Sequence, residues 1–326
     1  MFRPLTHLIN PKLNNPPTMK KYLILLVLLA ASNFLIAQTT DTAKNVKKVS
    51  SMDALLDTVS TDNKVDNVVV FKATRLVLSQ STEMTKKKNL NFLVIHRFGD
   101  IGGANGGGKL YYGLDDVADV YIGFEYGISD NFNIDIGRTT IGGLADLELK
   151  YALLHQKSDN SSPIAITLIG EGGVRPYGFV TYPTFGDRLS YFGQAIFARK
   201  FSSDFSLQIA PSYVRDNLPM PTIAGNEHQF FSLSGTGVLK LSNHMGIIVD
   251  YAHPFSSFRQ HNSNFSDPLG FGFQMETGGH VFTINFTNAR AIDEINYLSD
   301  TESKYSKGQF RIGFTISRVF DFNYSK

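Results

Sequence analysis

The chain of 326 residues has no cysteine and no tryptophan, and only 18% of its residues are charged. Without cysteine there is no thiolate metal site, no disulfide framework, no thiol nucleophile and no lipidated N-terminal cysteine. Charge is balanced as well as scarce: 31 Lys and Arg stand against 29 Asp and Glu. A net +2, dispersed along the chain, gives no footing for a nucleic-acid partner. The charged fraction falls below the roughly 25% of ordinary soluble domains, so something other than a charged shell meets the surroundings. Long apolar runs are also missing. The best, residues 22–31, is shorter than the roughly 20 residues a membrane-spanning helix needs, which excludes a helical membrane protein. What the chain does have is 26 Phe, 14 Tyr and 28 Gly, with 42% hydrophobic residues overall, too apolar a composition for disorder.

Lys20 and Lys21 precede that apolar run, and Leu35-Ile36-Ala37 places a small residue before Gln38, where a peptidase could cut. This pattern is that of a secretory signal peptide. Residues 1–18, with Pro4, Pro11, Pro16 and Pro17, have no place in such a signal and point to Met19 as the true initiator. The expected organisation is therefore a signal peptide with a mis-assigned upstream start over 1–37, a flexible periplasmic lead rich in Thr, Ser, Asp and Lys over 38–67, and one domain over 68–326. At the start of that domain Val68-Val69-Val70-Phe71 and Leu76-Val77-Leu78 flank the polar Lys72, Thr74 and Arg75. A strand, a plug element and a periplasmic hairpin all fit this stretch.

The body alternates with a period of two. Val120, Ile122, Phe124, Tyr126 and Ile128 interleave with Tyr121, Gly123, Glu125 and Gly127, and the pattern returns along the chain to Phe310, Ile312, Phe314 and Ile316. Such alternation marks strands with one apolar face. It predicts twelve strands, over 89–99, 119–128, 132–138, 144–155, 164–171, 189–201, 205–214, 230–241, 245–253, 269–276, 280–287 and 309–322. Each is about ten residues, the length a tilted strand needs to cross a hydrocarbon core. Odd-numbered connections average about 15 residues and even-numbered ones about 4, the mark of an outer-membrane barrel with tight periplasmic turns and long external loops. The less apolar face is Gly, Ser, Thr, Asn and Gln with scattered charge, which suits a crowded lumen. Tyrosines at strand margins suit the aromatic girdles of a bilayer interface. The last strand ends in Phe320 and Phe322, in keeping with strands read by the barrel insertion machinery. The expected fold is an all-β, transmembrane, antiparallel up-and-down β-barrel of about 12 strands in the outer membrane of a Gram-negative envelope, in contact with its lipid. An even strand number puts both termini in the periplasm.

Several segments together resemble a known family. Phe71-Lys72-Ala73-Thr74-Arg75, the run from Leu90-Asn91-Phe92 to His96-Arg97-Phe98-Gly99, Gly113-Leu114-Asp115, Gly123-Phe124-Glu125-Tyr126-Gly127-Ile128, Ile136-Gly137-Arg138, Lys150-Tyr151 and Glu276-Thr277-Gly278-Gly279-His280-Val281-Phe282 look like the Bacteroidota barrel family named domain of unknown function 5777. The resemblance implies a barrel in the outer membrane and carries no functional residue with it.

Sequence motifs for chemistry are weak. Residues 103–109 have the glycine and lysine spacing of a phosphate-cradling loop, but Leu110 stands where a hydroxyl should hold magnesium, and no helix is expected to follow. His261-Asn262-Ser263-Asn264 could pair an imidazole base with a hydroxyl as in a surface hydrolase, in a loop that fixes no geometry. Asp115, Asp116 and Asp119 with Asp100 could hold a hard cation, but a solvated loop and strand margin is the preferred account of them. His96 and His280 lack a ligand-spaced partner. No cofactor, metal or catalytic residue is expected.

The informative set is the lumen. By strand parity the inward charges are Arg97, Lys150, Lys200, Lys240 and Arg311 against Glu125, Asp135, Asp146, Glu148, Glu171, Asp250 and Glu276. Near balance predicts salt bridges across the interior in place of the single-sign ring of a selective pore. The leading expectation is a narrow channel or uptake conduit for small solutes. A packed and closed lumen that merely holds the barrel rigid competes evenly with that conduit, and a non-conducting barrel partnering another envelope protein through its lead and long loops is the alternative.

Overall fold

The computed structural model describes residues 65–103, 106–176, 178, 181–219, 225–277 and 279–322; the expected signal peptide and nearly all of the expected lead lie outside them. Twelve strands form: β1 (Asn89–Asp100), β2 (Val117–Ser129), β3 (Phe132–Thr139), β4 (Ala145–Leu154), β5 (Ala165–Val174), β6 (Leu189–Lys200), β7 (Phe205–Asp216), β8 (Gln229–Lys240), β9 (Met245–Phe255), β10 (Leu269–Thr277), β11 (His280–Thr287) and β12 (Arg311–Asp321). Each pairs antiparallel with its neighbours in sequence, and β1 pairs with β12 to close an up-and-down barrel. Closure leaves no strand edge unpaired, which is what a sheet surrounded by hydrocarbon requires. No helix among the described residues is long and apolar enough to cross a membrane; a barrel crosses with its strands.

Burial is inverted relative to a soluble sheet protein. Ile122, Phe124, Ile136, Leu147, Leu149, Ile209, Leu233, Ile247, Phe271 and Ile284 point outward and are exposed. Asn91, Asp135, Lys150, Thr167, Gln208, Ser234 and Asn285 point inward and are buried. A continuous apolar belt on the outside is stable only in an apolar surrounding.

The lumen is filled by two segments of the chain itself. From the end of the barrel that carries the tight turns, residues 68–86 rise as a hairpin. Asn67 bridges to Lys157 below it, Arg75 bridges antiparallel to Gln80, and Lys87 returns to Gly127. Glu83 accepts hydrogen bonds from the backbone N–H groups of Val70 and Phe71 and so staples the two legs together. From the long-loop end, the connection 288–310 folds inward and carries the short helix α2 (Glu294–Ser299), all six residues of which are buried. A second short helix, α1 (Ser257–His261), stays in the loop between β9 and β10. The apolar core therefore sits inside the barrel: Phe71, Leu76, Val77 and Leu78 of the hairpin pack with Ala289, Ile295 and Leu298 of the loop and with Ile169, Phe192, Ile196 and Ile248 of the wall. Each such side chain contributes about 1.5–3 kcal/mol on burial.

Wall glycines make the room. A Cβ at Gly270 or Gly272 would fall 2.5 Å from a Val77 methyl, and one at Gly127 would fall 2.1 Å from the carbonyl oxygen of Lys86. The open alternatives for residues 68–88 thus resolve to a hairpin that plugs the lumen.

The belt yields a direct expectation. Ile284→Arg places a charge on the outward face at mid-strand, where such changes cost about 2–4 kcal/mol near the bilayer midplane. Folding into lipid vesicles, read by heat-modifiable gel mobility, should drop sharply for Ile284→Arg and stay near wild type for Ile284→Leu. Equal yields would contradict the assignment of faces.

Candidate functional site in the plugged lumen

Four adjacent strands place carboxylates side by side. Glu125 on β2 pairs in register with Asp135 on β3, Asp135 with Glu148 on β4, and Glu148 with Glu171 on β5. All four are buried on the inner face. Like charges directly opposite one another destabilise a sheet, so this arc persists only if something within the lumen answers it. Asp146, two residues from Glu148 on the same face, adds a further acid.

The hairpin answers two of the four, Glu125 and Glu148; among the described residues no donor from outside the acids reaches the oxygens of Asp135 or Glu171. Thr74 Oγ1 donates to both oxygens of Glu125, at 2.8 and 2.7 Å, and Asn91 Nδ2 of β1 reaches the same carboxylate at 2.7 Å. Gln80 Nε2 donates to Glu148. Arg75 lies 3.1 Å from Glu294 of α2 and 3.8 Å from Glu148. Its guanidinium sits 5.0 Å above the ring of Tyr121, which in turn donates to Asp146 at 3.1 Å. Tyr121 lies flat along the wall because Gly123 and Gly137 leave it space; a Cβ at Gly137 would stand 2.0 Å from its hydroxyl. Burial alone would lower the Arg75 pKa, but Glu294, Tyr121, Glu148 and Glu125 together hold it above the ordinary arginine value. Arg75 is therefore a fixed cation bridging hairpin, wall and inward loop.

Across the lumen, Asp250 of β9 caps the hairpin tip. It accepts from the backbone N–H groups of Leu78 and Ser79, both at 2.8 Å, from Ser79 Oγ at 2.7 Å and from Thr236 Oγ1 at 2.9 Å. Arg97 of β1 donates to Val77 O of the hairpin and to Ala289 O and Ala291 O of the loop, fastening the two inserts to each other.

Of the charges inferred from parity, Arg97, Lys150, Arg311, Glu125, Asp135, Asp146, Glu148, Glu171 and Asp250 are buried, and Lys200, Lys240 and Glu276 are half-buried at one mouth; they do not pair across the interior as their balance predicts. Glu125, Asp135, Asp146, Glu148 and Glu171 gather on one side. Lys150 lies buried just below them, in register with Asn133 and Ile169. Lys200, Lys240 and Glu276 sit at the tight-turn mouth around a cavity of about 560 Å³, where Lys72 of the hairpin pairs with Glu276 at 2.6 Å and Lys200 Nζ reaches Val69 O. Arg311 pairs with Asp100 at 2.8 Å near the opposite end. The reason is connectivity. Wall acids meet cations and donors that the plug brings in, and parity along strands contains no information about the plug. Arg175, which pairs with Asp216 at 2.9 Å, and Asp293 and Glu294 lie outside the strands or at their ends, and the strand pattern missed them for that reason.

The other motifs take structural roles. Asp119 accepts from Thr139 and Thr140 hydroxyls, from Thr140 and Ile141 N–H, and from Ile292 N–H at 2.8 Å, so it latches the inward loop, apart from the exposed Asp115 and Asp116. His261 Nδ1 lies 2.8 Å from Ser257 O, not against Ser263. The glycine-rich loop leads into a 3₁₀ segment, Gly108–Gly113, with no helix N-terminus to cradle phosphate. His96 faces outward, stacked on Phe314 with centroids 5.3 Å apart, and His280 opens β11.

Removing the central cation isolates its effect. Arg75→Met leaves Glu294 and Glu148 buried without their partner and should destabilise the barrel by about 3–5 kcal/mol. Arg75→Met combined with Glu294→Gln should recover much of this, as measured by urea unfolding followed by circular dichroism. Additive losses in the pair would contradict the coupling.

The model of the membrane-bound β-barrel domain family known as domain of unknown function 5777 matches residues 71–320, a span that includes most of the hairpin, all twelve strands but the last residue of β12, and the inward loop. No curated protein matches the chain. Solved structures similar to it include the NanC porin, at 9% identity and a TM-score of 0.44 over 71% of this chain and 98% of that one. Others are the KdgM porin, at 6% identity and 0.40 over 72% and 99%, and an outer membrane channel from Pseudomonas putida F1, at 8% identity and 0.43 over 73% and 97%. With most of its length matched by the family model and its strands closed as that description requires, the chain belongs to the family of membrane-bound β-barrel domains.

Proposed function

We propose that the chain is an outer-membrane channel for small solutes, of Bacteroidota type as the family resemblance implies, held shut by its own hairpin 68–86 and opened when that hairpin withdraws. The supporting observation is the chemistry of the wall behind the plug. Asn91, Glu125, Asp135, Glu148, Gln194, Ser212 and Ser234 line it, so with the hairpin gone the lumen is wettable. The carboxylate arc then stands at its waist as a single-sign constriction, which favours cations. The hairpin continues in sequence into the N-terminal lead, so on this reading its handle belongs, with both termini, to the periplasmic side. The reading is one of passage through the barrel, with His261 Nδ1 turned to Ser257 O.

The filled lumen gives a second reading its footing, a non-conducting barrel that partners another envelope protein through its loops and lead.

Planar-bilayer recording of refolded protein separates the two. Wild type should open rarely. A variant lacking 68–86, shown to be folded by gel mobility, should open often and give a reversal potential on the cation-selective side. Folded barrels that stay silent with and without the hairpin would replace the channel with the partner barrel.

A further inference from the structure

Where the inward loop meets β5, three carboxylates converge, and the hairpin reaches one of them, Glu294, through Arg75. One oxygen each of Glu171, Asp293 and Glu294 lies within 4.8 Å of the other two, and all three residues are buried. Asp293 spends one oxygen on capping α2, accepting from Ile295 N–H at 3.0 Å and Asn296 N–H at 3.4 Å, and keeps the other. Glu294 accepts from Arg75, but a carboxylate offers about four lone-pair sites and has capacity left. Glu171 is the telling member. It is only 6% exposed, it points into the cluster against Asp293, and no donor from outside the acids reaches either of its oxygens among the described residues.

Arg75 does not balance this charge. It is shared between Glu294 and Glu148, while Asp146 and Glu148 add two more acids close by, each with one oxygen unpartnered. Buried anions with spare lone pairs call for a positive partner, and a donor set made wholly of carboxylate oxygen selects a hard cation over a soft one.

We propose that Glu171, Asp293 and Glu294 bind a hard divalent cation, Ca²⁺ or Mg²⁺, which clips the inward loop 288–310 to the barrel wall. The cation supplies the charge that Arg75 cannot, between β5 and α2, beside the contact that the hairpin's Arg75 makes with Glu294. Occupancy thereby holds the loop insert in the lumen, whatever passes or does not pass through it.

Full-length protein refolded in detergent and stripped with chelator tests this by equilibrium dialysis against radiolabelled Ca²⁺ at about 1 mM, the weak end of known calcium sites, with Mg²⁺ as competitor. Wild type should bind stoichiometrically and its thermal unfolding midpoint should rise with Ca²⁺. Glu171→Gln should lose both responses, as should Asp293→Asn, which keeps the helix cap because asparagine caps as well as aspartate. Glu302→Gln, an exposed acid of the same loop, should bind as wild type does. The proposal is overturned if wild type binds neither ion and Glu171→Gln is simply more stable at every Ca²⁺ level, since the carboxylates then share protons instead. Binding retained by both Glu171→Gln and Asp293→Asn would overturn it equally.

Discussion

Carboxylates in register on four neighbouring strands repel one another, and the rest of the lumen is arranged around that repulsion. Glu125, Asp135, Glu148 and Glu171 cannot separate, because the ladder that closes the barrel fixes them. They can only be answered from inside, where the surrounding strands and hydrocarbon exclude bulk water and an unpaired charge is costly. Thr74, Arg75 and Gln80 answer from the hairpin, and Glu294 brings a further acid against Arg75 from the opposite side. Tyr121, seated on Gly123 and Gly137, fixes the height of Arg75. One guanidinium thus couples wall, hairpin and loop, so displacing any one of them disturbs the other two.

Much of this architecture is legible in the sequence because the membrane enforces a strict period. Lipid on one side and a polar interior on the other force side chains to alternate over each full crossing, so the twelve predicted strands fall within a few residues of those observed and the charges inferred from parity are buried in the barrel or half-buried at its mouth. Burial inverted at Ile136 or Leu149 is the same signal seen in space. The inserts are a different matter. Residues 70–81 and 288–301 pack against strands distant in sequence, as in the contact of Val77 with Gly270 and Gly272, and no local period encodes such contacts. The clue present was the glycine content of the inward face, which is read as crowding and in fact marks where backbone and side chains of the plug pass close to the wall. Charge balance misleads for a related reason: equal numbers of acids and bases along the strands leave open that Lys200, Lys240 and Glu276 gather at one mouth and the acids at the waist.

The two inserts differ in a way that bears on function. The loop 288–310 is tethered at both ends to neighbouring strands, and Arg97 and Asp119 hold its descending limb. The hairpin runs from Asn67 at the tight-turn end and returns to β1 at the same end. On the proposed reading it leaves the lumen through that mouth without breaking the barrel ladder, giving up Asp250, Glu125 and Glu148 as partners and exposing them to water. Under that proposal the same residues line the opening, so one set of carboxylates would seat the plug and select what enters once it is gone.

The most direct test of this account uses the absence of native cysteine. Val77→Cys combined with Gly272→Cys places two thiols where the hairpin tip meets β10, since a Cβ at Gly272 would lie 2.5 Å from a Val77 methyl. Single-channel recording under oxidising conditions and after reductant then reads the position of the plug. The account predicts that the oxidised variant stays shut and that reductant restores openings. Equal conductance in both states, with the disulfide verified by mass, would show that passage does not depend on the hairpin leaving the lumen.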